Sequence, residues 1–65
     1  MYSVQWKRSD SKLWNTEITF TDLDGALQYA IVEAQCTRKM THRVVRPKSN
    51  GLPKVLAKFK PMRDE

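Results

Sequence analysis

A change of hydrophobic period decides most about what this chain can fold into. Tyr2, Val4 and Trp6 alternate with Ser3, Gln5 and Lys7, the period of a half-buried strand. Ser9-Asp10-Ser11 follows as a turn cluster, because short polar side chains bond their own backbone there. Alternation resumes from Lys12 to Phe20, with Trp14, Thr16, Ile18 and Phe20 on one face and Leu13, Asn15, Glu17 and Thr19 on the other. This predicts an antiparallel hairpin. From Leu23 the period lengthens: Leu23, Ala26, Leu27, Ala30, Ile31 and Ala34 form one helical stripe. Thr21 is the expected cap, with Asp22 and Asp24 suited to the positive end of the helix dipole. Three alanines on the stripe let the helix sit close to a sheet of bulky side chains, and Gly25 in the first turn points to close approach. The helix is expected to fade over residues 35–37, with Arg38 and Lys39 beside its last carbonyls.

Extended structure returns from about Met40 to Arg46, where Pro47 discourages its continuation. Asn50-Gly51 is a strong hairpin signal, since a type I′ turn needs two positive φ angles. A fourth strand is expected from Leu52 to Lys60, its start confined to an edge by Pro53. A two-residue turn at Asn50-Gly51 sets His42, Val44 and Arg46 on one face with Phe59, Ala57 and Val55. It puts Thr41, Arg43 and Val45 opposite Lys60, Lys58 and Leu56 on the other, with Lys54 near the turn. The predicted fold is α+β, in the order ββαββ: an antiparallel sheet covered on one face by one helix. Residues 1–60 form a single domain and 61–65 a tail, because 65 residues cannot support a second core.

Charge sharpens the functional reading. Residues 1–37 carry three basic and five acidic side chains, whereas residues 38–65 carry nine basic and two acidic, within a net charge of +5. Such asymmetry points to an electropositive face directed at an anionic partner. An apolar fraction of 40% excludes a disordered tail, and one cysteine excludes a disulfide framework or a multi-cysteine zinc site. No apolar run approaches the roughly 18 residues of a membrane span. The first residues alternate rather than form an apolar block, so no signal peptide is expected and the setting is cytoplasmic.

No catalytic constellation stands out, and no cofactor or metal is expected. Cys36 and His42 lack an evident orienting partner, the carboxylates are scattered, and two glycines do not make a phosphate loop. The chain therefore reads as a non-enzymatic binding module whose contacts are Arg43, Arg46, Lys54, Lys58 and Lys60. An acidic protein surface is the favoured partner. Nucleic acid is the alternative, through phosphate contacts, because Trp6, Trp14, Phe20 and Phe59 all fall on expected core faces and leave Tyr29 as the one exposed ring. A monomer is expected over a dimer, and no membrane partner.

Two short motifs, in this order of elements, resemble a family. Leu23-Asp24-Gly25-Ala26-Leu27-Gln28-Tyr29-Ala30 and Val44-Val45-Arg46-Pro47 are similar to segments of the small early proteins of short-tailed coliphages, which inhibit host RNA polymerase by binding its largest subunit. The resemblance covers residues 6–47. In that family the helix opens Leu-Asp-Glu-Ala-Leu and the third strand ends Arg-Val-Arg-Pro. Arg46 matches the second of its two binding arginines, whereas Val44 stands in place of the first. Lys7 and Arg8 stand where the family uses an acidic residue. The resemblance implies a comparable hairpin and helix, and a phage-encoded, host-directed protein that modulates transcription.

Overall fold

The computed structural model describes residues 1–36 and 39–61. Its elements run β1 (Tyr2–Arg8), β2 (Asn15–Phe20), α1 (Leu23–Cys36), β3 (Met40–Arg46) and β4 (Lys54–Phe59), the expected α+β order. The four strands form one antiparallel sheet in the order β2-β1-β3-β4, so the first strand lies inside the sheet and pairs with the third. The expected contacts of Arg38 with the helix end, and the tail beyond Pro61, lie outside the described residues.

The core forms where the alanine stripe meets the even-numbered residues of the central strands. Ala26 and Ala30 are fully buried against Val4 and Val44, which face each other across β1 and β3. Tyr2, Phe20, Leu27, Tyr29 and Phe59 close the periphery, so Tyr29 packs against the core rather than standing exposed. Its ring meets Phe20 at 5.6 Å and 54°. Alanine suits a helix lying close to a sheet, because a larger side chain there would lift the helix away from the two valines. The helix cap is Asp22 rather than Thr21: Asp22 Oδ2 accepts the Gly25 N–H at 2.8 Å. A Cβ on Gly25 would lie 3.1 Å from both Asp22 Oδ1 and Phe20 Cδ2, which accounts for the glycine by close approach.

The connections are longer than the alternation implied. β2 begins at Asn15 rather than Lys12, and residues 9–14 form a loop in which Ser11 N–H donates to the Arg8 carbonyl and Leu13 N–H to Ser11 Oγ. Asn50-Gly51 does not close a two-residue turn. Gly51 has a φ of +87° while Asn50 is not in the left-handed region, so the type I′ geometry is absent. Residues 47–53 form the loop instead. Arg46 pairs with Lys54, so the next pair would be Pro47 with Pro53, and neither can donate to a ladder.

Two irregularities shape the sheet. On β4 the register shifts at Leu56: Val44 faces Ala57 as expected, but Val45 faces Val55 and Arg46 faces Lys54. On β2 it shifts at Glu17: Val4 faces Ile18 and Gln5 faces Thr16, leaving Glu17 without a partner on β1. A bulge of this kind re-aims side chains and reverses the face of everything before it.

Candidate functional site

With α1 on one face, the opposite face carries no other element among the described residues, and the molecule is 15 Å through its thinnest dimension. Odd-numbered residues of β1 and β3 point to this face, where Ser3, Thr41 and Val45 are buried and Gln5, Lys7 and Arg43 are half-buried. Gln5 sits at its centre. Its Nε2 donates to Thr16 Oγ1 at 3.1 Å, and its Oε1 accepts the Arg43 Nε–H at 2.7 Å. Lys58 lies directly opposite Arg43 on β4. One transverse row, Thr16–Gln5–Arg43–Lys58, therefore crosses all four strands.

Trp14 completes the row, on the face the sequence reading did not give it. The Arg43 guanidinium carbon lies 4.1 Å from the centre of the Trp14 ring, and Lys7 Nζ lies 5.6 Å from it. The Glu17 bulge is the cause: it separates Trp14 and Thr16 from Ile18 and Phe20, which a regular strand would have kept together. Lys7 is held by a second contact, donating to the Ser11 carbonyl at 3.3 Å. Partial burial lowers the Arg43 pKa from its ordinary value, yet a guanidinium remains charged at any physiological pH. Stacked on one side and tied at Nε, Arg43 is held in place with four further N–H donors on its two Nη atoms. That arrangement presents a fixed fork to a carboxylate or a phosphate.

The five expected contact residues do not converge. Arg43 and Lys58 share the open face, and Lys60 follows one residue past the end of β4. Arg46 and Lys54 face each other at the far end of the hairpin, both exposed, and alternation along β3 puts Arg46 on the opposite side from Arg43. Gln5, Lys7, Trp14 and Thr16 belong to the site and were missed. Gln5 and Lys7 were legible as the polar side of the first strand; Trp14 and Thr16 were hidden by the bulge.

A second cluster lies beneath the helix. The bulge turns Glu17 toward α1, where Tyr29 O–H donates to Glu17 Oε2 at 2.6 Å. That hydrogen bond, chiefly, pushes the Tyr29 pKa up to about 12. Glu17, Glu33 and His42 each bring a donor atom within 4.8 Å of the others. His42 is fully buried, as its place beside Phe59 implied, but neither ring nitrogen has a hydrogen-bond partner. Burial lowers its pKa against the opposing pull of Glu17 and Glu33. Cys36 is exposed at the end of α1. A cleft of about 320 Å³ at the start of β3 is lined by Trp6, Arg8, Lys39 and Met40, of which Trp6 lies opposite His42.

No family, no curated protein and no solved structure matches the chain. Among the described residues no helix is long and apolar enough to cross a membrane.

Proposed function

We propose that this chain is a small non-enzymatic interaction protein that binds an acidic surface of a partner protein through the open face of its sheet. The observation that carries this reading is Arg43, stacked on Trp14, tied to Gln5 and set beside Lys7 and Lys58. Placing cations side by side on a sheet is unfavourable without a counter-charge. An arginine immobilised before binding loses less freedom on docking than a mobile one. The resemblance over residues 6–47 supports reading the chain as a phage-encoded protein that modulates host transcription in the host cytoplasm, with RNA polymerase as the first candidate partner. Arg46, which matches that family's second binding arginine, lies exposed at the end of β3 and would extend the contact around the hairpin. Pro53, Lys54 and Lys58 blunt the β4 edge against self-association, which favours a monomer.

The second reading is nucleic-acid binding, and one observation favours it: an aromatic ring does lie among the basic residues of the open face. Arg43 covers that ring, so the arginine itself, rather than Trp14, would meet a base or a phosphate. Titration against RNA polymerase, mixed-sequence duplex DNA and RNA at about 50 and 200 mM salt separates the two readings. The expected result is polymerase binding that survives the higher salt and is lost in the Arg43→Ser, Lys58→Ser double variant, with a thermal midpoint close to that of the parent. Nucleic-acid binding that collapses across the salt range supports the alternative. A double variant that fails to fold would make these two residues structural.

A further inference from the structure

We propose that Glu17, Glu33 and His42 form a binding site for a divalent transition-metal cation, Zn²⁺ or one of similar preference, that clips α1 to the sheet. Three observations converge on it. The donor atoms come from β2, α1 and β3 and lie within 4.8 Å of one another. The imidazole is wholly buried, and both of its nitrogens lack a partner. Buried polar atoms are nearly always hydrogen-bonded, so an imidazole left in this state beside two carboxylates is set up to receive an electron-pair acceptor.

The chemistry of the donors selects the class of ion. One imidazole with two carboxylates suits Zn²⁺ and its neighbours, whereas Ca²⁺ and Mg²⁺ prefer oxygen donors alone. Two carboxylates and a neutral imidazole balance a divalent charge. Tetrahedral Zn²⁺, with bonds near 2.0–2.1 Å, holds its ligand atoms roughly 3.3 Å apart. Closure therefore asks for an inward movement of at most about 1.5 Å, which the exposed Glu17 and half-buried Glu33 side chains can supply by rotation while His42 stays fixed. A water would occupy the fourth position. Tyr29, donating to Glu17 Oε2, already holds that carboxylate from behind, as the supporting hydrogen bonds of metal ligands commonly do. The Glu17 bulge, which gives β2 a residue with no partner on β1, is what brings the first ligand under the helix.

A clip is what a domain of this size lacks. Three of the six buried hydrophobic residues among those described are alanines, and small domains with slender cores commonly add a metal or a disulfide. Because His42 is the chain's one histidine, its ring signals report on the site alone. The test uses untagged full-length chain, stripped with chelator and carrying Cys36→Ser so that the exposed thiol cannot bind metal. Zn²⁺ is titrated with calorimetry, the His42 ring resonances and the thermal midpoint as readouts. The expected result is one Zn²⁺ per chain, a shift of the His42 signals, a raised midpoint that EDTA reverses, and binding weakened by about tenfold or more in Glu17→Gln and in Glu33→Gln. Both variants alter side chains at the surface, exposed Glu17 and half-buried Glu33, and circular dichroism is the check that they fold. Unmoved His42 signals at millimolar Zn²⁺, or full affinity in the two variants, would overturn the site.

Discussion

Asp22 illustrates how much one side chain decides at the junction between sheet and helix. It closes the first turn by accepting the Gly25 N–H, one of the donors that a helix start leaves unpaired. Its negative charge also meets the positive end of the helix dipole. Gly25 keeps this geometry open, because a side chain at that position would press on both Asp22 and the Phe20 ring. Replacing Asp22 by Ala is expected to lower stability by about 1 kcal/mol, a fall in melting temperature of roughly 4–8 °C for a domain of this size. Thermal denaturation followed by circular dichroism reads this directly, and an unchanged midpoint would show that Thr21 or water takes over the cap. His42 is the residue-scale opposite of Asp22. Each unpartnered polar atom in a protein interior costs roughly 1–3 kcal/mol, so the His42 ring weakens the fold unless something binds it.

At the scale of elements, the sheet is unevenly secured. β1 and β3 pair on both sides and carry Val4 and Val44 into the core, whereas β2 and β4 are edges. Four of the six β4 residues are exposed, with Ala57 and Phe59 half-buried. Amide hydrogen exchange is therefore expected to show β1 and β3 opening only with global unfolding, and β4 opening locally at a lower free energy. Equal protection across the four strands would mean that β4 is held by more than its ladder to β3. The sequence disclosed the identity and order of these elements because the period of the apolar residues changes with each one. It disclosed the faces of β1 and β3 for the same reason, whereas Arg43 opposite Lys58 rested on a two-residue Asn50-Gly51 turn that is absent. The pair meets only because the extra residue at Leu56 offsets the longer loop. The bulges were not legible. An extra residue leaves no compositional mark in a strand such as Asn-Thr-Glu-Ile-Thr-Phe, where residues 15–17 are all polar and fit either face equally well. One unseen bulge at Glu17 moved Trp14 from the expected core to the open face and delivered Glu17 to His42. Asn50-Gly51 misled for a related reason: its local turn preference lost to the two prolines that end the ladder before it.

Across the whole molecule, the net charge of +5 acts on folding and on binding with opposite signs. The open face holds Lys7, Arg43 and Lys58 as neighbours, and the longest dimension of the molecule is 38 Å. At about 0.01 M salt the screening length is roughly 30 Å, so each cation feels nearly every other; at about 0.15 M it is roughly 8 Å, and only neighbours interact. Folding gathers these charges and unfolding disperses them, so self-repulsion is a cost of the compact state. The melting temperature is therefore expected to rise as NaCl is raised between these two concentrations. The rise should be smaller in the Arg43→Ser, Lys58→Ser variant, which removes two of the crowded charges. Over the same range, affinity for an acidic partner should fall, because salt screens attraction across an interface as readily as repulsion within the fold. Calorimetric melts of both proteins, set beside binding isotherms at matching salt, measure the two trends together. A melting temperature that falls with salt in the parent would mean that favourable ion pairs outweigh the repulsion. The cations of the open face would then be part of what holds the sheet together, and the anionic partner would lose its main physical argument.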